Sequence, residues 1–401
     1  MPKNAASFSD PHSPRGRIEL TRRQLLGTLG VTLTGVAIAP LLAACSDDGG
    51  SAGDAGTSSG ATTGAPSGAI DFLSWEGYDL PEQMGAWEKS NDVELRATYI
   101  ASYDEIQSKL AAGAEGYDLI TYNQAFKAQY EELQIITPID PDRVPNLENL
   151  FPFFGSDEGN FWVDANGSRM GVPWTWGSEG ITYDTSAIPK PESWYDLLDP
   201  KLTGRIAVVD SQQDNLFNAA RILGVDPSMM SEQDLIDVAD LMRQFVAQAK
   251  GISPSYGDMV TKLVSGEAVA CFAGWAAMNQ FAADAGKKTI TTILPKEGSE
   301  SFCDAWAIPP TVDNVDAVYA WINKTLEPSV HAKAAEGLVA GVTIADAVPL
   351  LDASTASLYQ YEDLEQLLSQ APFFENPPTQ SDQYVTLSQW LQTWEQIKAG
   401  G

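Results

Sequence analysis

Cysteine and histidine are scarce in this chain, and their scarcity removes whole classes of chemistry. Only 3 Cys and 2 His occur in 401 residues. A Cys/His zinc site needs about four such ligands, and a histidine-based triad needs a placed imidazole, so neither is provided for. Positive charge is also short, with 24 Lys and Arg against 54 Asp and Glu and a formal net charge of −30. Nucleic acid and anionic membrane surfaces are therefore poor partners, while cations are drawn in. Long apolar runs are lacking too. The one near the N-terminus is short, carries Gly, Thr and Pro40, and ends on Cys45, which argues against a membrane-spanning helix.

That N-terminal stretch reads instead as a leader over residues 1–44. Arg15 and Arg17 precede Thr21-Arg22-Arg23-Gln24-Leu25-Leu26, then an apolar run, then Leu42-Ala43-Ala44-Cys45. Basic, apolar and small residues in that order are the marks of a signal peptide. The arginine pair resembles a twin-arginine export motif, and the last four residues resemble a bacterial lipobox, which makes Cys45 the lipidated new N-terminus. Residues 45–68 are almost wholly Ser, Gly, Ala, Thr and Asp after the cysteine, the composition of a flexible tether. The expected place of work is outside the cytoplasm, on a lipid anchor. Of the two remaining cysteines, Cys271 lies in an apolar run and reads as a small buried hydrophobe; Cys303 could pair with it in an oxidising compartment.

Residues 69–401 exceed the usual size of one core, so two lobes are expected. Residues 69–75 begin as a strand, Leu80, Met84 and Trp87 recur at helical spacing, and Val93, Leu95 and Ala97 alternate as a second strand. Ser102 with Glu105 reads as a capping box, and residues 117–121 as a third strand. Alternation of this kind argues for an α/β lobe with a largely parallel sheet. A second series starts at residues 206–209, followed by a helix at 214–223, a helix capped by Ser231 and Asp234, strands at 269–272 and 289–294, and helices at 315–322 and 329–339.

Several pieces then match a known family in order and spacing. They are Trp75-Glu76-Gly77-Tyr78, Tyr117-Asp118-Leu119, Pro191-Glu192-Ser193-Trp194-Tyr195-Asp196-Leu197 with Pro200 and Gly204, and Pro295-Lys296-Glu297-Gly298 leading to Asp304-Ala305-Trp306-Ala307-Ile308-Pro309. From about Ile70 to Gly400 the chain resembles the spermidine/putrescine-binding members of the extracellular solute-binding proteins that serve ABC transporters. The resemblance implies a two-lobed α/β fold of the periplasmic-binding-protein type, with two crossing strands as a hinge. It also implies discontinuous lobes, residues 69–176 with 306–344 and residues 177–305 with 345–401. A monomer that captures a polyamine and presents it to a permease needs no covalent chemistry and no cofactor.

An alkyl amine is held by carboxylates for its charges and aromatic walls for its methylenes. The positions matching the family's site are Trp75, Tyr78, Asn123, Asp214, Trp275, Phe302, Asp304 and Gln380. The resemblance implies that Asp214 meets a terminal ammonium and Asp304 a second amine. Plainer readings stand beside these. Trp75 and Trp275 could be core, Asp214 could be the N-cap of the helix after it, and Asp304 could pair with a buried lysine or a helix N-terminus. Trp174 and Trp176 read as core or hinge packing. The chain departs from the family at Ser211, where a second carboxylate is usual, at Asp214 for Glu, at Phe302 for Trp, and at Asn123, Ala125 and Val342. Putrescine or another organic cation therefore stays open, as do a neutral sugar or peptide ligand, a glycan hydrolase using two carboxylates, and a sensor subunit.

Overall fold

The computed structural model describes residues 66–100, 105, 106, 108, 109, 116–155 and 161–400. The leader, Cys45, most of the tether and the Ser102 end of the expected capping box lie outside the described residues.

The strands are β1 (Gly68–Ser74), β2 (Val93–Tyr99), β3 (Leu119–Asn123), β4 (Val172–Asp184), β5 (Ile206–Val209), β6 (Ala249–Ser253), β7 (Ala270–Trp275), β8 (Ile290–Ile293), β9 (Ser301–Ala307) and β10 (Gly341–Val342). Among the described residues they form one mixed sheet in the order β2-β1-β3-β9-β4-β7-β5-β6, with β8 and β10 also paired to β4. The parallel pairs sit at the two ends, β2-β1-β3 on one side and β7-β5-β6 on the other. The middle is antiparallel, because β9 runs against both β3 and β4, and β4 runs against β7. The largely parallel sheet expected from strand and helix alternation is thus confined to the outer strands. β9 enters the sheet late in the chain, and no local pattern announces its neighbours.

β4 is the longest strand, 13 residues, and nearly all of it is buried. Its first half pairs with β9 from Val172 to Ser178, and its second half pairs with β7 and β8 from Glu179 to Asp184. One strand therefore belongs to both ends of the sheet. Trp174 and Trp176 lie in its first half and are packed away. Trp174 stacks on Trp306 at 4.3 Å between ring centroids, and the Trp176 indole donates to the Val342 carbonyl at 2.8 Å. These contacts are the core packing expected of them.

The expected helices form with small shifts of boundary: Gln212–Leu223, Glu232–Gln248, Val315–Thr325 and Pro328–Leu338. Ser231 and Asp234 make the reciprocal capping box expected from their spacing. The cap of Gln212–Leu223 is different. Ser211 accepts from the Asp214 amide, which puts Asp214 three residues inside the helix and frees its carboxylate for another role. Cys271 and Cys303 are both buried as free thiols, and burial pushes both thiols up from their ordinary pKa.

Candidate functional site

The register of the four central strands brings most of the expected site residues onto one face. Asn123 on β3 pairs with Asp304 on β9, Asp304 with Thr175 on β4, Phe302 with Gly177, and Glu179 with Trp275 on β7. The Glu179 amide also donates to the Glu300 carbonyl, which carries the β4–β9 pairing one step beyond the strand. Side chains alternate along a strand, so Glu300, Phe302 and Asp304 share a face with Gly177, Glu179, Trp275 and Asn123.

Asp304 is fully buried at the middle of this face. Its Oδ1 accepts from the Asn123 amide at 2.9 Å and its Oδ2 from the Tyr78 hydroxyl at 2.7 Å. Tyr78 reaches it from the turn after β1. The Tyr78 amide closes on the Trp75 carbonyl, and Gly77 between them takes φ +92°, which only glycine adopts without strain. Trp75 is buried beside that turn. Burial and the neighbouring Asp304 charge hold the Tyr78 phenol well above its usual pKa, so it remains an O–H donor. The Tyr78 ring meets Trp174 edge-on at 4.7 Å.

An aromatic wall continues from Asp304 along the sheet. Phe302 packs edge-on against Trp275 at 5.4 Å, and Trp275 lies 6.4 Å from the ring of Tyr256. Gly177 makes room for that wall. A Cβ there would lie 2.7 Å from Phe302 Cζ, closer than real carbon atoms approach.

Beyond the wall stands a second acidic cluster. Tyr256 opens the helix Tyr256–Ser265, and its hydroxyl bridges Glu179 Oε1 at 3.0 Å and Asp214 Oδ2 at 2.5 Å. Asn218, one turn after Asp214, donates to Glu179 Oε2 at 2.5 Å, and its own carbonyl accepts from Ser299 at 2.8 Å. One carboxylate oxygen from each of Glu179, Asp214 and Glu300 lies within 4.8 Å of the others. Burial, then the Asp214 charge, raises the pKa of Glu179 well above the carboxylate range, although hydrogen bonds from Tyr256 and Asn218 pull the other way. Burial and the charges of Glu179 and Asp214 raise Glu300 likewise. Carboxylates that repel one another so closely retain protons.

The face thus brings together Tyr78, Asn123, Phe302, Asp304 and Trp275, and Asp214 joins them through Tyr256. Gln380 sits on an exposed bend, and none of these contacts involves it. Sequence reasoning passed over Glu179, Glu300, Asn218 and Tyr256. The available signal was the one that marked Asp304, a carboxylate inside an apolar stretch, and Glu179 within Trp174–Tyr183 carries it.

Residues 82–362 match the family model for bacterial extracellular solute-binding proteins. The chain is 22% identical over 365 residues to the putrescine-binding periplasmic protein SpuD of Pseudomonas aeruginosa, covering 86% of this chain and 96% of that one. It is 24% identical over 332 residues to the spermidine/putrescine-binding periplasmic protein of Escherichia coli, covering 82% and 91%. Among solved structures, a spermidine/putrescine ABC transporter protein from Listeria monocytogenes superposes with a TM-score of 0.71 at 21% identity, covering 83% of this chain and 99% of that one. The TpPotD lipoprotein of Treponema pallidum gives 0.69 at 20%, covering 83% and 100%. These neighbours share the two-lobed periplasmic-binding-protein fold. With the family model spanning well over half its length, the chain belongs to the bacterial extracellular solute-binding proteins, a family of transport proteins and not of enzymes.

Proposed function

We propose that this protein is a lipid-anchored extracytoplasmic receptor that captures a polyamine between two lobes and delivers it to the permease of an ABC transporter. The observation that carries the reading is Asp304, a fully buried carboxylate at the centre of the sheet with an aromatic wall on its flank. A buried carboxylate needs a counter-charge, and the named donors Tyr78 and Asn123 are neutral. An ammonium group supplies the charge, and the methylenes beside it lie against Phe302 and Trp275. Relatives whose names record putrescine and spermidine binding support the same ligand class.

The lobes are taken as residues 69–176 with 306–344 and residues 177–305 with 345–401, and β4 and β9 as the crossing strands. Ligand drives closure only through tighter binding to the closed form. The lipobox at Cys45 would keep the receptor at the membrane, and the arginine pair at Arg22 and Arg23 would direct its export. TpPotD, which shares the fold, is itself described as a lipoprotein.

Calorimetry with putrescine, cadaverine, spermidine, spermine and a set of neutral sugars tests the ligand. At least one polyamine is expected to bind at micromolar Kd or tighter, about −8 kcal/mol, and Asp304→Asn to lose most of it. Binding of a sugar with failure of every amine would refute the polyamine assignment. Radiolabelled palmitate should enter the protein in its native host and be lost in Cys45→Ala; equal labelling of the two would remove the anchor.

A further inference from the structure

We propose that Glu179, Asp214 and Glu300 form a second cation-binding pole, so that the solute is a short alkyl diamine stretched from Asp304 to Glu300 across the Phe302–Trp275 wall. This inference rests on the polyamine reading and deepens it, because it assigns a place to the far end of the ligand and sets its length.

The first support is an oxygen with nothing to accept from. Glu300 is 1% exposed, and its Oε2 is buried without a hydrogen-bond partner. Leaving a buried acceptor unmet is costly, more so for a charged one. Among the described residues, no lysine, arginine or histidine forms an ion pair with Glu179 or Glu300. The charged and titratable groups that face Glu300 are Glu179 and Asp214, and those that face Glu179 are Asp214, Tyr256 and Glu300. A cation fits that vacancy.

Its chemistry follows from which oxygens are already engaged. Both oxygens of Glu179 accept hydrogen bonds, from Tyr256 and Asn218. A calcium ion needs six to eight oxygen ligands and would find too few free. An ammonium carries only three donors, which suits the oxygens that are left.

Length follows from the strand. Glu300 and Asp304 are four residues apart on one face, about 13 Å between Cα atoms at the usual rise. Extended putrescine measures roughly 6 Å between nitrogens at about 1.3 Å of advance per bond. Two charge-assisted contacts of about 2.8 Å bring the span between carboxylates to roughly 12 Å. Phe302 lies midway along the same face, where the methylenes pass.

Ammonium binding also changes the proton balance of the pole. The carboxyl proton retained by Glu179 and Glu300 leaves to solvent as the ammonium takes its place, so uptake releases a proton.

The test is titration calorimetry of the purified protein near pH 7 with putrescine and with butylamine, in two buffers of different ionisation enthalpy. The unaltered protein should prefer putrescine by about 100-fold or more, with a buffer-dependent heat that reports proton release. Glu179→Gln and Glu300→Gln should each cut that preference by about tenfold or more while shifting butylamine affinity less than about threefold. In Glu300→Gln the buffer dependence should vanish. Its thermal midpoint without ligand should not fall, since a neutral amide replaces a buried acid, and this guards against misfolding as the cause. An unchanged preference in both variants overturns the second pole and leaves the polyamine reading standing. Failure of the unaltered protein to bind any amine overturns both. Thermal stabilisation by millimolar calcium or magnesium that disappears in Glu300→Gln, with the diamine preference intact, overturns the ammonium assignment in favour of a metal ion.

Discussion

The hydroxyl of Tyr78 donates to Oδ2 of Asp304 at 2.7 Å, joining the turn after β1 to the centre of β9 across most of the chain. A buried carboxylate that loses one of its donors is left partly unsolvated. Tyr78→Phe should therefore lower the unfolding free energy by about 2 kcal/mol. In an Asp304→Asn background the same change should cost less than about 1 kcal/mol, because the charge it served is gone. Urea unfolding of the four proteins measures the coupling. Equal costs in the two backgrounds would mean the phenol stabilises the fold by packing alone.

Gly177 gives a second handle on the wall. Alanine there would press its Cβ to 2.7 Å from Phe302 Cζ and 3.4 Å from Trp275 Cε3. Overpacking of this kind costs roughly 1–3 kcal/mol and forces the aromatic pair apart. The variant should melt earlier and bind putrescine more weakly, and trimming the obstruction with Phe302→Leu should restore part of the stability. No recovery in the double variant would place the strain elsewhere.

Much of this arrangement was legible before the fold was known, and its limits have physical causes. Asp304 stood out as a lone carboxylate in an apolar run, and the Gly77 turn with Tyr78 and the Ser231–Asp234 box are local patterns whose chemistry is complete within four residues. Asp214 was ambiguous because Ser211 and Asp214 are both good N-caps, and only the backbone decides which one is used. Strand β4 is buried on both faces, so it shows no alternation, and its two sets of partners are invisible along the chain. The Glu179 and Glu300 pairing exists only because β4 and β9 run antiparallel in one register. Long-range strand pairing is information that a local reading does not hold.

The Ser211 cap yields a prediction that separates its structural role from the carboxylate beside it. Ser211→Ala should cost about 1 kcal/mol in urea unfolding, and Ser211→Asp should be nearly neutral because aspartate caps equally well. Equal losses in both variants would show that the hydroxyl is needed for something other than the cap.

His331 sets the acid limit of the fold. It is buried in the helix Pro328–Leu338, its Nδ1 lies 3.1 Å from the Thr325 carbonyl, and its Nε2 accepts from the Thr343 amide at 3.1 Å. That pair of partners selects the neutral tautomer with the proton on Nδ1. Burial outweighs the Thr325 carbonyl and lowers the pKa from 6.5 to about 4. Below pH 6.5 the unfolded chain therefore binds a proton that the folded chain refuses. Stability present above pH 6.5 is lost as the pH falls toward 4, by about 3 kcal/mol once both pKa values are passed. Raised carboxyls such as Glu300 act in the opposite sense, gaining relative stability on acidification, so the histidine contribution must be read from the imidazole itself. In a proton-detected titration from pH 8 to 5 with ligand absent, His12 provides an internal contrast. The His331 ring signals should hold their neutral shifts throughout that range, whereas a midpoint near 6.5 for His331 would show that the ring is not shielded by the packing described.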